Sequence, residues 1–142
     1  ANVIMPVAGL PRLIDFGLAR RPQDAALTDR SEIVGTAHYL APELLEDATF
    51  TAASDTFALG VALYEALLGR HPVTDDVGPN VAYEVNAVYR ENRVPRVRTL
   101  VKDCPEELAA IIERMINPRA ALRPACKDVE AVLRLLVDSR NG

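Results

Sequence analysis

Ser54–Gly69 reads SDTFALGVALYEALLG. From Thr56 to Leu68 small or apolar residues occupy nearly every helical face, and Glu65 is the single charge. A helix apolar nearly all round is buried on most sides, so this stretch predicts the central helix of a core. Ser54-Asp55 can cap its start, Gly69 ends it, and Pro72 keeps it from resuming. The apolar run from Phe57 to Leu68 is too short to cross a bilayer.

Working upstream, Ala41–Glu46 starts a short helix, with Pro42 at a first-turn position that tolerates proline. Gly17–Thr36 is polar, lacks a period and reads as a long loop. Loops of that length in compact domains are functional or disordered. Asn2–Met5 and Leu13-Ile14 are short apolar runs separated by Gly9 and Pro11, which predicts a small β-hairpin. Downstream, Val81–Arg90 reads as a helix and Val94–Pro105, with two prolines, as irregular chain. Pro105 opens a clear helix in which Leu108, Ile111, Ile112, Met115 and Ile116 keep helical spacing until Asn117-Pro118. A last helix runs from about Cys126 to Val137, with Val129, Val132, Leu133, Leu136 and Val137 in one stripe. The expected class is α+β and mostly helical: one hairpin, one long loop and four or five helices.

Composition sets outer bounds. The chain has 142 residues, 49% of them hydrophobic and 25% charged, which suits one globular domain. A net charge of -4 without a basic block argues against nucleic acid as the main partner. Cys104 and Cys126 cannot form a disulfide framework and match no zinc spacing, so a reducing compartment is expected; the lack of targeting signals makes it the cytoplasm, with a parent anchored to a membrane through segments not present here left open. There is no recognisable signal peptide and no membrane segment in this sequence.

Asp15-Phe16-Gly17 after the strand Leu13-Ile14 is a weak signal alone, because a turn after a strand would look the same. Its company is specific. In order follow Gly35-Thr36, Tyr39, Ala41-Pro42-Glu43, Asp55 with Gly60 five residues on, and Arg123-Pro124. This series resembles a Ser/Thr protein kinase catalytic domain, from the magnesium-binding loop to the end of the C-terminal lobe. Leu13–Arg20 (LIDFGLAR) resembles the start of the activation segment, and Gly35–Glu43 (GTAHYLAPE) its end, including the loop that receives the peptide substrate. Ser54–Gly69 resembles the central buried helix, and Leu122-Arg123-Pro124 the arginine segment between the last two helices. The resemblance covers essentially the whole chain, so residues 1–142 are expected to be a partial kinase domain of the C-terminal lobe.

The resemblance assigns roles. Asn2, thirteen residues before Asp15, matches the last residue of the catalytic loop H-R-D-x-x-x-x-N. Asn2 and Asp15 are then the protein groups that hold Mg2+ on the phosphates of ATP, a task that suits oxygen ligands. Gly17 belongs to the same nucleotide-binding loop, and Ile4 matches the position beneath the adenine ring, although plain core packing is an equal reading. Thr36 matches the threonine that supports the catalytic Asp and lysine in Ser/Thr kinases, and the proline-rich segment usual in tyrosine kinases is absent between Val34 and Leu40. Thr28 and Ser31 are candidate phosphorylation sites, or ordinary polar loop residues. Glu43 and Arg123 are expected to form a structural salt bridge, and Asp55 to bond the catalytic-loop backbone or cap its helix. Departures are Phe57 where the family usually has Trp, and Ala125 where Ser or Thr often caps the last helix. His38 and His71 lie far apart in sequence, with no ligand cluster around them to suggest a metal.

The catalytic Asp is expected five residues before Asn2, ahead of Ala1, together with the glycine-rich loop, the lysine and the N-terminal lobe as an intramolecular partner. The parent protein is therefore expected to move the γ-phosphoryl group of ATP to Ser or Thr of a protein substrate in signalling. These 142 residues alone are expected to be inactive, and to expose an apolar face of the central helix that favours self-association. The competing reading is a non-catalytic kinase-like module, or pseudokinase, that acts by binding.

Overall fold

The computed structural model describes residues 3–4, 12–13, 37–46, 50–73 and 81–141. Strands β1 (Val3–Ile4) and β2 (Arg12–Leu13) pair antiparallel, Val3 opposite Leu13 and Ile4 opposite Arg12. A 3-10 turn (Ala37–Tyr39) leads into α1 (Pro42–Glu46). Then come α2 (Ala52–Leu68), α3 (Val81–Arg90), α4 (Val97–Leu100), α5 (Glu106–Met115), a second 3-10 turn (Ala120–Leu122) and α6 (Cys126–Asn141). The long loop expected over Gly17–Thr36 lies outside the described residues.

Helix α2 is the hub. It begins earlier than Ser54-Asp55 suggested, because Thr51 is the N-cap. The Thr51 Oγ1 accepts from the Ser54 N–H at 3.3 Å, and the Ser54 Oγ accepts from the Thr51 N–H at 3.2 Å. This reciprocal box satisfies two donors that a bare helix end leaves open. At the other end Gly69 adopts φ 77°, the left-handed conformation open to a residue without Cβ, and its N–H bonds the Glu65 carbonyl at 2.8 Å. Phe57, Val61 and Tyr64 on α2 are fully buried.

Gly60 sets how closely α2 and α5 approach. A Cβ there would lie 2.7 Å from the Cβ of Met115 and 3.0 Å from the Cγ2 of Ile116. Helix α5 buries Ala109, Ile111, Ile112 and Met115 against this contact. Its start at Pro105 and the acidic first turn, Glu106 and Glu107, follow from the sequence. α6 packs on α5 through Val129, with Val132 and Leu133 half-buried.

Two further boundaries differ from expectation. The stretch 94–105 is not wholly irregular: α4 forms there because buried Val97 donates its N–H to the Glu113 Oε1 at 2.9 Å, a tertiary partner. α6 runs four residues past Val137, on polar residues that add no apolar stripe. The open apolar face is also narrower than a helix apolar all round implies. Of the large hydrophobics on α2 only Leu59 is exposed, where it borders a groove of about 460 Å3 lined by Thr56, Met115, Val129, Leu133 and Val137.

Candidate functional site

Residues 37–46 form a short platform, one 3-10 turn plus one turn and a half of helix. So short a segment has little stability of its own. Side chains from the helices behind it, and from the segment that precedes α6, hold it in place.

The strongest tie is Arg123, presented by the second 3-10 turn. A guanidinium has five N–H donors in a fixed fork. Here Nη1 donates to the Glu43 Oε1 at 2.7 Å and to the Ala53 carbonyl at 2.9 Å. Nη2 donates to the Glu43 Oε2 at 2.8 Å and to the Pro118 carbonyl at 3.2 Å, and Nε to the Asn117 carbonyl at 2.7 Å. All five donors are used, and the Arg123 side chain has no exposed surface. The guanidinium also sits 4.8 Å from the centroid of the Phe57 ring, whose other neighbour is the Tyr89 ring, edge-on at 4.9 Å. Phe57 therefore gives the arginine an aromatic face. Ser54 adds a hydroxyl bond to the Glu43 Oε1 at 2.9 Å. Burial by itself would raise the Glu43 pKa, but the bonds from Arg123, its own backbone and Ser54 outweigh it and hold the carboxyl below its ordinary value.

Further ties come from α2, from the turn after it, and from α3. Tyr39 donates its hydroxyl to the Glu65 Oε2. Burial first, then the Glu65 carboxylate, push the Tyr39 pKa up to about 12, so it remains a donor at neutral pH. The Nε2 of buried His71 lies 3.1 Å from the His38 carbonyl. On α3, Asn86 donates its Nδ2 to the Leu40 carbonyl at 3.1 Å, and the Arg90 Nη2 reaches the Pro42 carbonyl at 3.4 Å and the Glu46 Oε1 at 2.6 Å. The Arg90–Glu46 pair is well exposed and adds little.

Of the residues singled out in the sequence, the structure brings Glu43 and Arg123 together across eighty positions. Asp55 is exposed in the first turn of α2, and Thr51, not Asp55 or Ser54, is the cap. Only the strand pairing of Ile4 is described. Asn2, Asp15, Gly17, Thr28, Ser31 and Thr36 lie outside the described residues. Sequence reading missed Asn86, Arg90 and the Tyr39–Glu65 pair, and kept His38 and His71 apart although their rings meet edge-on at 5.1 Å. Glu65 carried a signal: a lone carboxylate in an apolar helix needs a partner.

Residues 1–132 match the model of the family described as "Protein kinase domain". The chain belongs to the protein kinase domain family. Named relatives agree. The serine/threonine-protein kinase PknL of Mycobacterium tuberculosis is 30% identical over 92% of this chain and 31% of the relative. The serine/threonine-protein kinase PkaA of Streptomyces coelicolor is 33% identical over 97% of the chain and 24% of the relative. The DNA damage-responsive serine/threonine-protein kinase RqkA of Deinococcus radiodurans is 36% identical over 87% of the chain and 18% of the relative. The kinase chain thus spans a third or less of the length of these relatives. No described helix of the kinase chain is long and apolar enough to cross a membrane.

Proposed function

We propose that this kinase chain is the C-terminal-lobe part of a Ser/Thr protein kinase that transfers the γ-phosphoryl group of ATP to a protein substrate. The observation that carries the reading is the fastening of residues 37–46, in a chain of this family, by Arg123, Tyr39–Glu65, His71 and Asn86. Phosphoryl transfer depends on positioning more than on covalent chemistry from the protein. A platform held at both ends suits the task of presenting a peptide hydroxyl.

Asn2 and Asp15 are the residues we assign to Mg2+, which when bound neutralises charge on the transferring phosphoryl group. The β1–β2 pairing supports the assignment: Asn2 directly precedes β1, Asp15 follows β2 by two residues, and Val3 stands opposite Leu13. One amide oxygen and one carboxylate are hard donors of the kind Mg2+ takes. Ile4 and Gly17 complete the nucleotide side, Thr36 supports the catalytic Asp, and Asp55 ties α2 to the catalytic loop. Thr28 and Ser31 are the phosphorylation sites through which the loop would be regulated. Glu43 and Arg123 are structural, the link between the activation segment and the helical base. We place this part of the kinase in a reducing, cytoplasmic setting, which leaves open a parent anchored to a membrane through segments outside these residues.

The 142 residues hold no H-R-D segment, no glycine-rich phosphate loop and no strand lysine paired with a helix glutamate. We therefore assign the chemistry to the parent protein and expect this polypeptide by itself to be inactive. The coding sequence immediately ahead of the Ala1 codon tests this. A frame encoding an Asp five residues before Asn2, preceded by a nucleotide lobe, supports the enzyme. A start codon at that point overturns it in favour of a binding module.

A further inference from the structure

His71 stands two residues beyond Gly69 in the turn that leaves α2, and it is buried although the turn is at the surface end of the helix. Its ring touches two separate pieces of backbone. Nδ1 lies 3.0 Å from the Val73 N–H donor and 2.8 Å from the Val73 carbonyl, and Nε2 lies 3.1 Å from the His38 carbonyl. A neutral imidazole has one N–H. If Nδ1 accepts from the Val73 N–H, the proton must sit on Nε2, where it can only go to the His38 carbonyl. Burial favours the neutral ring. Two tautomers fit these contacts: with the proton on Nδ1 the ring donates to the Val73 carbonyl at 2.8 Å, and with the proton on Nε2 it accepts from the Val73 N–H and donates to the His38 carbonyl at 3.1 Å; only the second ties the turn to the platform.

The surroundings leave little freedom. The His38 ring meets His71 edge-on at 5.1 Å and the Tyr39 ring meets it at 5.6 Å, nearly perpendicular. Tyr39 is itself fixed by Glu65. His71 and His38 lie 33 positions apart in sequence, so the contact is made by the fold and not by local structure.

We propose that His71 is a positioning residue for the peptide-receiving segment, its Nε2–H holding the His38 carbonyl and so setting the path of residues 38–40 relative to α2. In this role it acts through the platform backbone and not on the nucleotide or the reacting atoms. The proposal rests on the reading of residues 37–41 as the loop that receives the peptide.

The test is steady-state kinetics of the full-length kinase with ATP and a Ser/Thr peptide, for the wild type, His71→Phe and His71→Gln. Phe keeps a ring against His38 and Tyr39 but has no donor, whereas Gln restores an N–H donor without the ring. Losing one hydrogen bond of ordinary strength raises the peptide KM about three- to tenfold in His71→Phe, with kcat and the ATP KM within about twofold of wild type. His71→Gln recovers at least half of the change on a logarithmic scale. An unchanged peptide KM in His71→Phe overturns the proposal, as does an equal rise in the ATP KM, or a Gln variant no better than Phe. Amide exchange in the segment 38–41 decides independently of turnover. It quickens in His71→Phe and returns toward wild type in His71→Gln. Equal exchange in all three overturns the proposal even if no kinase activity is found, while inactivity with the exchange pattern intact overturns only the functional reading.

Discussion

Arg123→Ala is expected to be the most damaging single substitution at the platform. It removes five hydrogen bonds and the cation from the face of Phe57, and leaves the Glu43 carboxylate with Ser54 as its remaining side-chain donor. Breaking a buried ion pair by deleting one partner costs about 3–5 kcal/mol. Against a domain stability of about 5–15 kcal/mol, that is a large fraction. The structure also separates the pair from its setting. Replacing both members of a buried ion pair by apolar residues is often neutral. Here the carbonyls of Ala53, Asn117 and Pro118 would lose their donor as well. The double replacement Glu43→Met with Arg123→Met is therefore expected to stay destabilised by about 2–3 kcal/mol, since each buried orphan acceptor costs about 1–3 kcal/mol and part of that is recovered by water. Urea unfolding of the wild type, both single variants and the double variant closes the cycle. A loss below about 1 kcal/mol for Arg123→Ala, in the range of a surface pair, would show that Arg123 does not hold the platform. A double variant as stable as wild type would show that the carbonyl contacts add nothing.

Further predictions follow from single contacts. The Glu43 carboxyl is held below its ordinary value of 4.5, so its contribution is present above that pH and is lost as pH falls through the lowered pKa; acid unfolding should be steeper below about pH 4.5 in wild type than in Glu43→Gln. Gly60→Ala should destabilise by about 1–3 kcal/mol, because its Cβ has no room against Met115 and Ile116; an unchanged melting temperature would mean that α2 and α5 move apart freely. Ser54→Ala removes both half of the capping box and the hydroxyl bond to Glu43, at about 1–2 kcal/mol, and Thr51→Ala should cost about 1 kcal/mol through the box alone. Thermal melts of the two variants side by side test that order.

The sequence makes the helices legible where apolar spacing and stop signals agree. Pro105, Ile111, Ile112, Met115 and Asn117-Pro118 mark α5 almost residue by residue. The start of α2 is less legible: Ala52 and Ala53 carry no sign of their own, so the pattern points to Ser54 as the cap, whereas Ser54 is the third residue inside the helix. α4 depends on a bond from Glu113, sixteen positions from Val97, which no local pattern encodes. At the platform, the order of motifs led to Glu43 and Arg123 through family resemblance. The composition of either segment alone would not have paired them. Asn86, His71 and Glu65 act on backbone or side chains more than twenty positions away, and a polar residue among apolar ones says that a partner exists without saying where.

The most direct test is phosphoryl transfer from labelled ATP to a Ser/Thr peptide in the presence of Mg2+. It is run with the full-length wild type, with its Asp15→Asn variant, and with the 142-residue chain alone. Label on Ser or Thr is expected from the wild type, a loss of at least about a hundredfold in Asp15→Asn because the phosphoryl charge is no longer neutralised, and none from the isolated chain. Undiminished transfer by Asp15→Asn, or transfer by the 142 residues alone, would contradict this expectation.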